Sequence, residues 1–218
     1  MNKSELAEVK RAAKLTTEKI RLEKMMVYER SHPEYKLICG VDEAGRGPFA
    51  GPVVAGAVIL DPNEEILYLN DSKKLSETRR EELFEEIKYK SIAWGVGIVD
   101  NETIDEINIL QATYKAMQQA IAALDPAPDF ILADAVTIPG IIIPQEGIVK
   151  GDAKSVSIAA GSIIAKVTRD RMMVEFDEQY PEYGFAKHKG YGTADHIRAL
   201  KKYGPTPIHR RTFIKKYI

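Results

Sequence analysis

Residues 40–54 read GVDEAGRGPFAGPVV, and this stretch sets two adjacent acids, Asp42 and Glu43, at the end of an apolar strand. The flanking residues 37–41 and 53–60 are rich in Val, Ile and Gly, which predicts two strands that could pair as a hairpin. A protein interior does not hold unpaired carboxylates cheaply, so acids at this point predict water, a cation or a binding partner. The glycines of AGRGPFAG would let the chain bend there.

The composition predicts a globular protein. The chain has 218 residues, of which 44% are hydrophobic, enough for one domain of ordinary size with an appendage. It has no apolar run of the roughly 18 residues that a membrane span needs, and its first thirty residues are too charged for a secretory signal. We therefore expect a cytoplasmic protein with no membrane partner. The single cysteine, Cys39, excludes an internal disulfide, and the four histidines have no zinc-ligand spacing.

The charge of the chain is distributed unevenly. Residues 185–218 carry nine Lys or Arg and one acid, Asp195, a net charge of +8 that leaves −9 for residues 1–184. A basic segment beside an acidic body is typical of a protein that follows a phosphate backbone with one surface and holds cations with another. A solvated charged helix is the alternative interpretation of the basic segment.

The hydrophobic pattern predicts a mixed α/β sheet covered by helices, because strands come first in a run and then alternate with helices. Further strands are predicted at residues 92–99, 130–133 and 148–149. Helices are predicted at residues 5–28, 76–88, 104–124 and 155–178. The chain then divides into an N-terminal helical extension (1–35), an α/β core that would carry any active site (36–180) and a basic, helical C-terminal segment that packs with the core (181–218).

Acids follow three of the predicted strands. Asp42 and Glu43 follow the first, Asp134 follows FILA, and Asp152 follows GIVKG just before a long helix. Ligands of open α/β sheets bind beyond the carboxyl ends of strands, so these acids could form one cluster. Asp42 and Glu43 would point to opposite faces unless the strand ends or bends there. Alone, Asp134 or Asp152 could instead cap a helix or turn.

A carboxylate cluster of this kind predicts a divalent cation. Close carboxylates repel each other, which raises some of their pKa values unless a cation is bound. Oxygen ligands favour Mg²⁺ or Mn²⁺ over zinc or copper. Two such ions support displacement at phosphorus without a side-chain nucleophile, and the sequence has no nucleophile elbow, Walker loop or dinucleotide fingerprint.

Several long motifs together resemble bacterial type 2 ribonuclease H, the ribonuclease HII family: GVDEAGRGPFAGPVVAGAVIL, DSKKLS, DEINI, KGDAKSVSIAAGSIIAKVTRD, KGYGT and HRRTF. The resemblance covers residues 37–213. It implies the ribonuclease H fold, and it implies that Asp42, Glu43, Asp134 and Asp152 are the metal-binding catalytic acids, the same four residues that the strand ends indicate.

The resemblance also implies residues that contact the substrate. Gly45, Arg46 and Gly47 match a motif whose backbone reads the ribose 2′-hydroxyl, and Tyr191 matches a tyrosine that stacks just past the ribonucleotide; by themselves both could be turn residues. Further candidates for contact with the nucleic-acid backbone are Lys73, Ser162, Lys166 and Arg210. Ser162, Lys166 and Arg169 are spaced as one helical stripe. Asp170, the nearest rival of Asp152, is expected to pair with a basic neighbour.

The implied activity is endonucleolytic cleavage on the 5′ side of a ribonucleotide, in RNA/DNA hybrids and at single ribonucleotides in duplex DNA. It would leave 3′-hydroxyl and 5′-phosphate ends and serve ribonucleotide excision repair and primer removal, with the protein acting as a monomer. Type 3 ribonuclease H is one alternative, although it differs around the GRG position and carries a large N-terminal domain where this sequence has residues 1–35. A non-catalytic binder of nucleic acid is the other, although a binder gains nothing from four acids.

Overall fold

The hairpin predicted from the first quoted stretch forms the centre of the sheet. The computed structural model describes residues 3–218, and in it β1 (Ile38–Ala44) pairs antiparallel with β2 (Val53–Leu60). The prediction that the first strand ends at residue 41 is wrong. Pairing with β2 carries the strand through Asp42 and Glu43, and the chain turns only at Gly45, whose φ is +96°.

Three further strands complete the sheet on both sides of the hairpin. β3 (Ser91–Val99) pairs antiparallel with β2, and β4 (Phe130–Asp134) pairs parallel with β1. β5 (Gln145–Ile148) pairs parallel with β4. It begins and ends earlier than the strand that was predicted at residues 148–149. The strand order is β3-β2-β1-β4-β5, which confirms the predicted mixed sheet.

Helices make up the rest of the regular structure, and each long predicted helix is present with somewhat different bounds. In chain order they are α1 (Lys3–Met25), α2 (Val27–Arg30), α3 (Glu77–Lys90), α4 (Asn101–Ala122), α5 (Val156–Gln179), α6 (Phe185–His188), α7 (Ala194–Tyr203) and α8 (Arg211–Ile214). Two short 3₁₀ turns lie at Ser72–Lys74 and Gly151–Ala153. No helix among residues 3–218 combines the length and apolar character needed to cross a membrane.

Helices cover both faces of the sheet. On one face, α4 packs its buried side chains, Met117 among them, against β1 and β2. On the other face, α3 and α5 pack against β2, with Ile163 of α5 fully buried. α5 lies very close to the hairpin, because a Cβ on Gly40 would lie 1.9 Å from the carbonyl carbon of Ser157. The side chains that α5 presents to the end of β1 are therefore held closely in place.

The N-terminal helices pack on the core. Leu22 and Met25 of α1 are buried in the same cluster as α3 and α5. Glu29 of α2 accepts hydrogen bonds from the Ser155 hydroxyl (2.6 Å) and the Ser157 N–H (3.0 Å) at the start of α5. Residues 1 and 2 of the predicted extension lie outside the described part of the chain.

Candidate active site

The four predicted acids lie at one edge of the sheet. Asp42 and Glu43 occupy the carboxyl end of β1, and Asp134 ends the neighbouring parallel strand β4. Asp152 sits in the 3₁₀ turn beyond β5. That turn is tied to β4, because the Gly151 N–H donates to Asp134 Oδ1 at 2.6 Å. The parallel pairing therefore brings together Asp42 and Asp134, which are 92 residues apart in sequence.

Burial and mutual repulsion disfavour the charged forms of Asp42, Glu43 and Asp152. Asp42 is 3% exposed, and burial, followed by the Glu43 and Asp134 charges, raises its pKa well above the usual range, while a hydrogen bond from Ser162 opposes the shift. Burial also raises the pKa of Glu43, against the opposing Arg46 guanidinium. Burial raises the pKa of Asp152, and so do Asp71 and Asp134. The cluster therefore lacks enough positive charge of its own.

Lys73 lies among the acids, with Nζ 3.9 Å from Asp152 Oδ2. Burial lowers the pKa of Lys73, but the surrounding carboxylates of Asp42, Asp152, Asp71 and Asp134 outweigh it and raise that pKa overall. Its side chain is 75% exposed, so it can leave the cluster without disturbing the core. Lys73 therefore lies beside the acids and places its own positive charge among them.

Asp71 is a member of the acidic cluster that sequence reasoning missed. Its carboxylate accepts from the Lys73 N–H at 2.9 Å, which caps the 3₁₀ turn, and it lies near enough to Asp152 to raise the pKa of that acid. Its neighbour Ser72 shares a hydrogen bond of 2.9 Å with Ser162 of α5. The signal was the DSKKLS motif itself, which predicted a role for Lys73 alone.

The donor set suits a hard divalent cation, because it consists of carboxylate oxygens. Within residues 3–218, however, no three acidic, histidine or cysteine side chains converge tightly enough to form a ready coordination shell. Lys73 and Arg46 supply the positive charge near the acids instead.

The GRG loop and Tyr191 are neighbours beside the acids. A Cβ on Gly47 would lie 3.6 Å from Cε1 of Tyr191, whose side chain is 46% exposed. Arg46 is also exposed, and its Nη1 lies 3.3 Å from Glu43 Oε1. Residues from the start and the end of the chain thus form one surface next to the carboxylates.

Arg210 does not contact the outside of the protein, so the prediction that it touches the nucleic-acid backbone is corrected. Its side chain is 0% exposed. The guanidinium donates to the carbonyl oxygens of Gly45 (2.6 Å), Arg46 (3.0 Å), Gly51 (2.9 Å) and Pro52 (3.0 Å). Burial lowers the pKa of Arg210 to about 9, and the nearby Arg169 charge adds to the shift. Arg210 therefore shapes the GRG loop from beneath.

Arg169 has the same kind of environment, so it does not belong to a stripe facing phosphates. It is 1% exposed and donates to the carbonyl oxygens of Pro52 (2.9 Å), Lys189 (2.9 Å) and Ala50 (3.0 Å). Burial lowers its pKa to about 10. Because Lys189 lies two residues before Tyr191, Arg169 ties the tyrosine segment to the segment that follows GRG.

Ser162 differs from its predicted role, whereas the contact predicted for Lys166 stays a prediction. Ser162 is 3% exposed and bonds to Ser72 and Asp42, so it orients an acid instead of meeting a phosphate. Lys166 is partly buried, and its Nζ lies 2.6 Å from Asp170 Oδ1. Asp170 also lies 3.9 Å from Arg80 Nη2, which confirms the expectation that it pairs with basic neighbours.

Comparison with known proteins agrees with the resemblance in the motifs. The family model described as ribonuclease HII matches residues 39–216. A curated relative from Lachnoclostridium phytofermentans, named ribonuclease HII, is 60% identical over 205 residues, which cover 94% of this chain and 81% of the relative. The matched residues include the whole of the sheet beyond the first residue of β1 and all four acids.

Solved structures show the same fold. The crystal structure of ribonuclease H2 from Pyrococcus horikoshii OT3 superposes with a TM-score of 0.70 at 31% identity, covering 84% of this chain and 97% of that one. The crystal structure of Bst-RNase HIII in complex with Mn²⁺ superposes with a TM-score of 0.57 at 18% identity, covering 77% of this chain and 63% of that one. The second likeness concerns the fold alone.

Proposed function

Because this chain belongs to the ribonuclease HII family, and is therefore an endonuclease of the ribonuclease H type, we propose that it cleaves on the 5′ side of ribonucleotides. Its substrates would be RNA/DNA hybrids and single ribonucleotides embedded in duplex DNA. Hydrolysis would leave a 3′-hydroxyl and a 5′-phosphate. Such an activity would serve ribonucleotide excision repair and the removal of RNA primers.

The single observation that carries this proposal is the position of the acids beside the surface formed by the GRG loop and Tyr191. A nuclease that reads one sugar and cuts the adjacent phosphodiester needs its reading groups next to its catalytic groups. Gly45 follows Glu43 by two residues, and Gly47 lies against Tyr191. This adjacency favours a sugar-reading nuclease over a protein that only binds phosphates.

The buried arginine beneath the loop supports recognition of a ribose hydroxyl by backbone N–H groups. A trans peptide is planar, so its C=O and N–H groups point in opposite directions. The carbonyls of Gly45 and Arg46 point inward to Arg210, which turns the N–H groups of Arg46 and Gly47 outward. A ribose has a 2′-hydroxyl that can accept a hydrogen bond, whereas a 2′-deoxyribose has no hydroxyl at that position. Outward N–H donors would therefore distinguish the two sugars.

We propose that Asp42, Glu43, Asp134 and Asp152 hold two Mg²⁺ or Mn²⁺ ions. When bound, such ions supply an activated water and stabilise the leaving oxygen of an in-line displacement. The residues around them orient the ligands: Ser162 donates to Asp42, and the Gly151 N–H donates to Asp134. The raised pKa values of Asp42, Glu43 and Asp152 mean that protons compete with cations for these three carboxylates.

Tyr191 and the basic C-terminal segment would bind the rest of the duplex. The exposed tyrosine ring next to Gly47 offers a stacking surface for the sugar or base that follows the ribonucleotide. Most lysines of residues 185–218 are exposed, Lys201, Lys202 and Lys216 among them, and can neutralise phosphates. Arg210 is excluded from that role by its burial.

Incubation with a DNA duplex that carries one ribonucleotide tests the proposal. We expect nicking only on the 5′ side of the ribonucleotide in Mg²⁺ or Mn²⁺, and no nicking with EDTA or on an all-DNA duplex. Cleavage confined to long RNA/DNA hybrids would indicate type 3 behaviour. Tight binding without any product would indicate a non-catalytic binder.

An Asp134→Asn variant tests the role of the acids. We expect no detectable cleavage and a preserved fold, because an asparagine oxygen can still accept from the Gly151 N–H that Asp134 Oδ1 now binds. Asp61→Asn is the matched control. Asp61 Oδ1 likewise accepts a backbone N–H at 2.8 Å, from Asn63, but it follows antiparallel β2 and so lies at the opposite edge of the sheet. Cleavage by Asp134→Asn at the control rate would remove Asp134 from the mechanism.

A further inference from the structure

Three histidines are buried together between α6, α7 and the segment before α8. His188, His196 and His209 are 9%, 0% and 1% exposed. The rings of His188 and His196 stack with centroids 4.6 Å apart, and Nε2 of His196 lies 3.0 Å from Nε2 of His209. Neither the acids nor the GRG loop uses these imidazoles directly. Two ring nitrogens at hydrogen-bond distance require one to donate and the other to accept.

The surrounding backbone allows one assignment of the protons. Nδ1 of His196 lies 2.9 Å from the carbonyl oxygen of Tyr191, which only accepts, so this nitrogen carries the proton. Nδ1 of His209 lies 2.9 Å from the backbone nitrogen of Thr206. Because a backbone N–H only donates, Nδ1 of His209 is unprotonated and accepts. Nε2 of His209 therefore donates to Nε2 of His196. The hydrogen bonds run in one direction, from Thr206 through both rings to Tyr191.

This chain of hydrogen bonds ends on the residue that faces the proposed substrate. The carbonyl of Tyr191 also accepts from the Thr193 N–H at 2.8 Å, and the Tyr191 N–H donates to the His188 carbonyl at 2.9 Å. The peptide groups on both sides of the tyrosine are thus held, while its side chain remains 46% exposed. At the other end of this chain of hydrogen bonds, the backbone of His209 forms an antiparallel β-bridge with Ala50, and His209 immediately precedes Arg210.

We propose that His209 and His196 are positioning residues that set the orientation of Tyr191, and through it the preference for a ribonucleotide followed by deoxyribonucleotides. The inference rests on the proposed stacking role of Tyr191. His209 acts through His196, which holds the tyrosine carbonyl, and neither imidazole touches the nucleic acid. A rotation of the Tyr191 peptide would move the ring away from Gly47, where it would no longer meet the sugar beyond the cleavage site.

Two variants of His209 separate its two hydrogen bonds. The amide nitrogen of His209→Gln reaches the position of imidazole Nε2, so this variant keeps the donor to His196 and loses the acceptor for Thr206. The amide oxygen of His209→Asn reaches the position of Nδ1, so this variant keeps the acceptor and loses the donor. Both remove a buried imidazole of the same size, which makes each a control for general destabilisation.

The measured quantity is the ratio of kcat/KM on a duplex with one ribonucleotide to kcat/KM on a uniform RNA/DNA hybrid. Loss of one buried hydrogen bond should lower this ratio roughly tenfold in His209→Asn and roughly twofold or less in His209→Gln. Equal ratios in the two variants would overturn the inference. Tyr191→Ala separates the proposed stacking role of Tyr191 from the proposed role of the histidines. An unchanged ratio in Tyr191→Ala would refute the stacking role itself. A lowered ratio in Tyr191→Ala together with an unchanged ratio in His209→Asn would refute only the role of the histidines.

Nitrogen-15 NMR of the imidazole rings provides a readout that does not depend on the variants folding. At neutral pH we expect His196 to carry its proton on Nδ1 and His209 on Nε2. A proton on Nε2 of His196 would overturn the assignment and, with it, the proposed link to Tyr191.

Discussion

Mild acid should destabilise this protein through His209, and the effect can be isolated with a single substitution. Burial lowers the pKa of His209 from 6.5 to about 4, and the neighbouring His196 adds to the shift. Arg211 and His188 also face the ring and lower its pKa further. A backbone hydrogen bond with Thr206 opposes the shift, but burial and the neighbouring charges outweigh it. The folded protein therefore keeps His209 neutral over a range of pH in which the unfolded chain protonates it.

The magnitude follows from the difference between the two pKa values. A depressed folded-state pKa contributes stability that is fully present above the unfolded pKa and is lost as the pH falls toward the folded one. The window for His209 runs from 6.5 down to about 4. One pKa unit corresponds to about 1.36 kcal/mol, so at about pH 5 the loss from this one group is about 2 kcal/mol.

Urea denaturation at about pH 7.5 and pH 5 measures the effect in the wild type and in His209→Gln. The acids Asp42, Glu43 and Asp152 have raised pKa values and shift the pH dependence in the opposite direction, but they do so equally in both proteins. We expect the wild type to lose about 2 kcal/mol more than the variant between the two pH values. An equal loss in both proteins would refute a buried, neutral His209.

Three further substitutions have expected outcomes. Asp42→Asn removes a repelled, buried carboxylate, so in EDTA it should melt a few degrees higher than the wild type and should lose both cleavage and the stabilisation by Mg²⁺; a lower melting temperature in EDTA would contradict this. Gly45→Ala should lower the free energy of unfolding, measured in urea, by about 2 kcal/mol or more, because φ is +96° and the new Cβ would lie 2.1 Å from Arg169 Nε. Gly204→Ala is the control for backbone strain alone, because φ there is +76° and nothing lies within 4 Å of the new Cβ. Lys73→Met removes a positive charge from the acids, so the acidic limb of the pH–rate profile should move to higher pH, and an unmoved limb would place Lys73 outside the cluster.

The central strands could be predicted because their burial shows directly in the sequence. β2 is buried at every residue except the last, so it reads as an uninterrupted apolar run, and its predicted bounds agree with the structure. β5 has the sequence QEGI and only its last residue is buried, so its strand character comes from pairing with β4 and not from its own side chains. The end of β1 was misplaced for the same reason, since pairing with β2 extends the strand through polar residues.

The acids of the candidate site could be predicted because chain direction and strand ends constrain where they meet. Asp42 and Asp134 lie on adjacent parallel strands, so any sheet of this kind brings them to one edge. Asp71 and Ser72 do not follow a predicted strand, so only the DSKKLS motif marks them in the sequence. They lie in a short turn between β2 and α3, and only the fold brings that turn to Asp152 and Ser162.

The buried arginines were misassigned for a physical reason that applies beyond this chain. Arg210 lies among basic residues, and such a run normally indicates exposed charge, but a guanidinium can be buried where carbonyl oxygens satisfy its donors. Those acceptors are distant in sequence, with Gly45 165 residues from Arg210. A lysine at this position would keep the charge and lose the planar fork that holds four carbonyls. Under the proposed function, Arg210 would therefore act on sugar recognition only through the loop that it shapes, because its burial keeps it from the nucleic acid.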